Sequence, residues 1–255
     1  MVPSIFYLSL RIPGPGPMSV SDLQPSKLGS KEHWDHVYET ELANFQEHGD
    51  EGEIWFGVQS VEKMVKWALE HVPPSQNPSI LEVGTGNGTL LFALADAGYD
   101  SSLLCGIDYS ADAVKLARAI AATTEGGDAI TFAECDFLTA DPPRPPHAPP
   151  ADQPPDSWDL LLDKGTFDAI ALAEKDEDGK SPAARYPARV ARLLKPGASF
   201  LTTSCNFTEE ELRATFETPE TGLVYHSRIQ HKTFTFGGKS GSPVSSVAFM
   251  KPPIS

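Results

Sequence analysis

The chain has 255 residues and a mass of 27.5 kDa, with 20 Lys and Arg against 35 Asp and Glu and a formal net charge of −15. With 40% apolar residues it has enough material for a core of domain size, and the acidic balance excludes a general nucleic-acid binder, which needs a basic footprint. Cys105, Cys135 and Cys205 lie far apart, giving neither a disulfide framework nor a thiolate zinc site, and no run approaches the roughly 20 apolar residues of a membrane span.

Residues 1–25 read as a disordered extension. The apolar run Ile5 to Leu10 has no basic region before it and is followed at once by Arg11, Pro13, Pro15 and Pro17, so it does not read as a secretory leader; Met18 is an alternative start. Residues 26–75 read as a helical cap segment. Trp34, Val37, Tyr38, Leu42 and Phe45 form one apolar stripe at helical spacing with Ser30 as its cap, and Val61, Val65, Ala68 and Leu69 form a second.

From residue 76 to 255 short apolar runs alternate with helical patterns. Strands are expected at Ser79 to Gly84, Leu103 to Asp108, Ile130 to Glu134, Trp158 to Asp163 and Ala198 to Ser204, with a terminal strand pair after them. Helices are expected at Leu90 to Ala97, Ala111 to Ala122 with Ser110 as cap, Ala183 to Leu194 closed by Lys195-Pro196-Gly197, and Glu209 to Phe216. This alternation predicts an α/β fold: a doubly wound, mostly parallel sheet covered on both faces, whose ligands sit at the carboxyl ends of its strands. Residues 142–155 hold eight prolines, so 141–155 is expected to be an extended surface loop.

The candidate site residues fall at those strand ends. Glu82-Val-Gly84-Thr85-Gly86-Asn-Gly88 follows the first strand and opens a helix. Its glycine spacing differs from the dinucleotide fingerprint, and Glu82 would repel a pyrophosphate. An acid there suits a cationic ligand head, such as the amino and sulfonium groups of S-adenosylmethionine. Asp108, 26 positions after Glu82, ends the second strand and is placed to accept ribose hydroxyls; Tyr109 follows it. Asp136 and Phe137, after the third strand, are expected to hold the adenine by carboxylate and ring. A glycine turn without a ligand, and acids that merely cap turns, are the competing readings of each feature alone. Three acids at three consecutive strand ends, with the glycine loop, form a nucleoside cradle.

The runs E-V-G-T-G-N-G, I-D-Y-S and D-K-G-T-F-D resemble the class I, seven-strand S-adenosylmethionine-dependent methyltransferases. Leu28 to Tyr38, Gly49 to Gly57, Asp163 to Asp168, Thr203 to Asn206 and Phe236 to Gly241 look like the branch that modifies lysine in translation elongation factor 1-alpha. The resemblance runs from about Leu28 to Met250 and departs at Val58, where an acid is expected. It implies a Rossmann-like sheet ordered 3-2-1-4-5-7-6 with the last strand antiparallel, S-adenosyl-L-methionine as cofactor, and no metal. It further implies a monomeric, cytoplasmic enzyme with a protein substrate and no membrane partner.

In that frame Asp163 is expected to accept and orient the incoming amine as well as to border the cofactor, with the capping of the next helix as the bland alternative. Tyr38 and Asn206 are expected at the reacting amine. Trp34 and Trp55 are expected beside the cofactor, although an aromatic stripe at helical spacing also fits packing. Gly165 and Phe167 are expected to shape the substrate channel, and Lys164 to turn away from it into a salt bridge. His33 and His36 carry no zinc signature. Two other readings stay open: the same cofactor serving another protein or a small molecule, and a non-catalytic nucleoside-binding scaffold.

Overall fold

The computed structural model describes residues 19–143, 157–232, 234–236 and 239–254. The expectations for residues 1–18 and for all but the first three residues of the proline-rich loop lie outside them. Residues 19–25 of the expected extension lie among the described residues. A short turn of helix at Val20–Asp22 leads Val20 and Leu23 onto the core, because both side chains bury apolar surface there.

Five parallel strands form the centre of the sheet: β1 Ile80–Val83, β2 Leu104–Asp108, β3 Thr131–Glu134, β4 Trp158–Lys164 and β5 Leu194–Ser204. β6 Val224–Ile229 and β9 Ser245–Met250 complete it, in the order β3-β2-β1-β4-β5-β9-β6, with β9 antiparallel to both neighbours. This is the expected order. A separate hairpin, β7 Phe234–Phe236 and β8 Lys239–Gly241, interrupts the terminal pair and was not expected.

The central strands are apolar on both sides because helices cover both faces. On one face Leu81, Val83, Leu161 and Phe200 pack with Phe167 of α5 (Thr166–Ala171), Tyr186 of α6 (Tyr186–Leu193) and Phe216 of α7 (Glu209–Phe216). On the other, Ile80, Leu104, Leu160, Leu162 and Leu201 pack with Met64 and Trp67 of α2 (Val58–His71) and with Leu90, Leu91 and Leu94 of α3 (Thr89–Asp96). Val114 and Ala117 of α4 (Ala111–Ala121) join that second layer.

The first helix, α1 (Lys31–His48), begins where Ser30 Oγ accepts the amide of His33 at 3.2 Å, as expected of a cap, and ends at Gly49 in the left-handed region. Its buried residues Trp34 and Tyr38 pack on Ala113, Leu116 and Ile120 of α4. That contact hangs α1 over the carboxyl ends of β1 and β2.

Two boundaries differ from expectation. Lys195-Pro196-Gly197 does not separate helix from strand: β5 already starts at Leu194, paired with Trp158, and the register slips so that Leu160 pairs with Ser199. The Pro-Gly pair forms a bulge, since Pro196 lacks a ladder donor and Gly197 sits at φ +84°. The preceding helix is regular only from Tyr186; Pro182–Arg185 is a tighter 3-10 turn, because Pro187 has no N–H to close an α-turn back to Ala183.

Candidate active site

The loop after β1 is built by glycine stereochemistry. Gly84 and Gly86 stand at φ +66° and +56°. A Cβ on Gly84 would lie 1.9 Å from Thr166 Oγ1, and one on Gly86 would lie 2.5 Å from the Tyr38 hydroxyl. Both positions therefore exclude side chains by backbone conformation and by space. The loop is tied to its neighbours on every side. Thr85 N donates to Ile107 O at 2.9 Å, Gly86 N donates to Asp108 Oδ2 at 3.0 Å, and Thr166 Oγ1 donates to Val83 O at 2.8 Å. Inside the loop Thr85 Oγ1 donates to Glu82 Oε2 at 2.7 Å.

Above this cradle passes the segment Gly49–Gly57. Glu41 of α1 accepts the amide of Glu53 at 3.1 Å, and Asn87 Nδ2 donates to Glu51 O at 2.9 Å. Lys164 Nζ, from the end of β4, donates to Trp55 O at 3.3 Å. Trp34 stands between Tyr38 and Trp55, with ring centroids 6.2 and 4.8 Å away. Its indole N–H donates to Leu28 O at 2.7 Å. Trp34, Tyr38, Trp55, Glu82, the glycines and Asp108 are thus brought together, and Lys164 joins them.

The electrostatics favour a positively charged occupant. Glu82 is almost wholly buried, and desolvation pushes its pKa up to about 7, with Lys164 and the Thr85 hydrogen bond opposing the rise. Burial likewise raises Asp108 to about 6, opposed by the amides of Ser110 and Gly86. Burial pushes Lys164 down, against the pull of Glu82 and Asp163. Tyr38, enclosed and facing Asp108, Glu41 and Glu82, holds its proton well above the usual phenol range, chiefly through desolvation. Tyr109 also rises through burial, and Lys31 Nζ lies 5.4 Å from its ring centroid. A dinucleotide phosphate would add negative charge to this set. A ligand with a sulfonium and an α-ammonium supplies the missing cation, so the residues present fit S-adenosylmethionine.

Several expected site residues are placed otherwise. Asp163 faces the opposite side of β4 from Lys164, because side chains alternate along a strand. It is fully buried; Oδ1 accepts Thr166 N and Oδ2 accepts Phe167 N, each at 3.0 Å, and the Tyr186 hydroxyl also donates to Oδ2. Burial, opposed first by Tyr186, raises its pKa to about 7. Its carboxylate caps α5 from below and is not presented to an incoming amine. Lys164, expected to turn away, is the residue that reaches the cradle. Phe167 is a core ring, 5.2 Å from Tyr186 and 5.1 Å from Phe207, not a channel wall. Phe137 also packs on Tyr186, at 4.7 Å, so its ring does not stack on an adenine. Asp136 remains exposed at the end of β3, where it accepts from Leu138 N and the Thr139 hydroxyl. Asn206 lies half-buried after β5, its amide donating to Ser204 Oγ at 3.1 Å.

Sequence reasoning passed over two residues. Asp168, buried, accepts from Cys205 N at 2.7 Å and from the Ser204 hydroxyl, which ties α5 to the end of β5. Phe56 lies against Gly165: a Cβ built on that glycine, at φ +92°, would be 2.9 Å from the ring. The second acid of D-K-G-T-F-D was the available signal for Asp168; none distinguishes Phe56 from Trp55.

Comparison with known proteins agrees with this geometry. A family model described as "Methyltransferase domain" matches residues 74–238. The chain is 39% identical over 252 residues to the protein-lysine N-methyltransferase efm4 of Schizosaccharomyces pombe, covering 92% of this chain and 98% of that one. It is 38% identical over 227 residues to human EEF1A lysine methyltransferase 2, covering 89% and 88%. In fold it resembles the CcbJ methyltransferase of Streptomyces caelestis, with a TM-score of 0.58 at 13% identity over 85% of this chain and 98% of that one. With its seven-strand sheet and its acid-and-glycine cradle, the chain belongs to the class I S-adenosylmethionine-dependent methyltransferase family, in the protein-lysine methyltransferase group of these relatives.

Proposed function

We propose that this enzyme transfers a methyl group from S-adenosylmethionine to a lysine of translation elongation factor 1-alpha. The observation that carries the substrate is the near full-length similarity to relatives named for that activity. The capping segment supports it, since Gly49–Gly57 is hooked to the cofactor cradle by Asn87 at Glu51 and by Lys164 at Trp55.

The cofactor supplies an electrophilic methyl on a positively charged sulfur. The chain's residues bind, orient and exclude water. Glu82 and Asp108 hold the cationic and ribose ends. Tyr38, Trp34 and Trp55 close the cradle from above. The attacking lysine must enter without its proton, because an ammonium has no lone pair. Two features lower its pKa from the usual value of about 10.4: desolvation by the aromatic rim and the like charge of Lys164. When bound, the cofactor would give its methyl to the neutral lysine nitrogen and leave as an uncharged thioether, and the methylated ammonium so formed would release its proton to solvent.

The reading further takes the enzyme as a cytoplasmic monomer. Among the described residues no helix is long and apolar enough to cross a membrane, and no cluster suits a metal ion. Its domain division is 26–75 as helical cap and 76–255 as the methyltransferase domain.

The test is purified enzyme with labelled cofactor and purified elongation factor 1-alpha. Methylated lysine in a peptide map is expected. No transfer to it, alongside labelling of other proteins or of small molecules when the same enzyme and cofactor are given a cell lysate, would overturn the substrate.

A further inference from the structure

Phe56 occupies a backbone conformation that its residue type resists. The turn Ile54–Gly57 is closed by Gly57 N donating to Ile54 O at 2.8 Å, and Phe56 is its third residue at φ +62°. That position favours glycine or asparagine, and a bulky residue there is a true outlier. The one other non-glycine residue with positive φ among the described residues is Asn77, a type that tolerates it. Strain of this kind persists where the surroundings over-determine it, often at binding sites.

The surroundings here are specific. The Phe56 carbonyl accepts the Ser60 hydroxyl at 2.9 Å, fixing the turn to the start of α2. Lys164 holds the preceding carbonyl, that of Trp55. The ring is half-exposed and lies against Gly165, the residue that follows Lys164 at the acceptor end of β4, where any Cβ would collide with it. With Asp163 and Phe167 both turned into the core, the Phe56 ring lies against Gly165, just past this end of the strand.

We infer that Phe56 is a positioning residue for the acceptor lysine: its ring walls the passage beside Lys164–Gly165 and aligns the aliphatic stem of the incoming side chain. This rests on the proposed lysine-methylating function and adds to it the residue that shapes the entrance.

The test compares Phe56→Gly, Phe56→Leu and Phe56→Tyr in the full chain, reading melting temperature, affinity for S-adenosylhomocysteine and steady-state methylation of elongation factor 1-alpha. Phe56→Gly suits the backbone, so its melting temperature should equal or exceed the parent's while kcat/KM for the protein falls at least tenfold and cofactor affinity stays within twofold. Phe56→Leu should lose rate similarly, and Phe56→Tyr should restore it. Unchanged kcat/KM in Phe56→Gly overturns the inference, and so does a parallel fall of melting temperature and rate in both Phe56→Gly and Phe56→Leu, which would make the ring mere packing. An inactive parent enzyme would overturn the lysine-methylating reading instead.

Discussion

The amide of Gly86 donates to Asp108 Oδ2 at 3.0 Å, while the amide of Ser110 donates to the other oxygen at the same distance. The acid that ends β2 and the glycine loop that follows β1 are therefore one unit. Asp108→Ala removes the acceptor for two backbone donors and the proposed ribose ligand together. Calorimetry with S-adenosylhomocysteine should show affinity reduced roughly 30-fold or more, about 2 kcal/mol for lost charge-assisted hydrogen bonds. Affinity within threefold of the parent would contradict that role.

Gly86 and Tyr38 should be energetically coupled. A methyl group at 86 meets the Tyr38 hydroxyl at 2.5 Å and also strains a left-handed backbone. Gly86→Ala should weaken cofactor binding and lower the melting temperature; the backbone part alone is about 1 kcal/mol. Tyr38→Phe removes the clash but not the strain, so the double variant should recover part of the loss. Strict additivity of the two changes would show that the helix α1 does not bear on the loop.

Cofactor binding should strengthen with rising pH. Glu82 and Asp108 have folded-state pKa values raised to about 7 and about 6, so both lose protons across that interval and only then attract a cation fully. The sign for stability is opposite. A carboxylate whose pKa is raised by folding favours the folded state below its unfolded value and loses that contribution as pH rises through the folded one. The unliganded protein should therefore soften from about pH 4 to pH 7, while the stabilisation added by S-adenosylmethionine grows. Thermal melts with and without cofactor at pH 5.5 to 8 decide this. Lys164→Met removes a charge that holds Glu82 down, so the rise in affinity should move to higher pH; no movement would sever the link between the two residues.

Asp163 should matter first to folding. Its carboxylate accepts the amides of Thr166 and Phe167 and the Tyr186 hydroxyl in a buried setting. Asp163→Ala leaves those donors unsatisfied, which costs roughly 3 kcal/mol and lowers the melting temperature by about 6–12 °C. A variant with parental melting temperature and lost turnover would restore the carboxylate to the reacting amine.

The positions of the central strands and the glycine cradle were legible because both rest on local patterns: short apolar runs, and glycines where φ must be positive; the order of the strands came from the family resemblance alone. The sequence did not reveal which way each strand-end residue points. Trp158–Lys164 is buried on both faces, so no polar alternation marks the side on which Asp163 or Lys164 emerges. One residue's offset exchanges core for cleft, and for this reason the roles expected of those two neighbours were interchanged. Phe137 and Phe167 illustrate the same limit: an aromatic ring beside a catalytic-looking acid reads equally as wall or as core. Phe56 was hidden because its tell-tale is a dihedral angle, which no composition announces.

Asp141 forms an ion pair with Arg189 at 3.1 Å and a second with Arg192, while Arg189 Nε donates to Phe137 O at 2.8 Å. The polypeptide is thus riveted to α6 just before the crossover that leads to β4. A label attached beside Asp141 would start from this anchored post, on the face of the sheet that α6 covers. Such a label offers a way to tether or visualise the enzyme through a fixed point of its backbone.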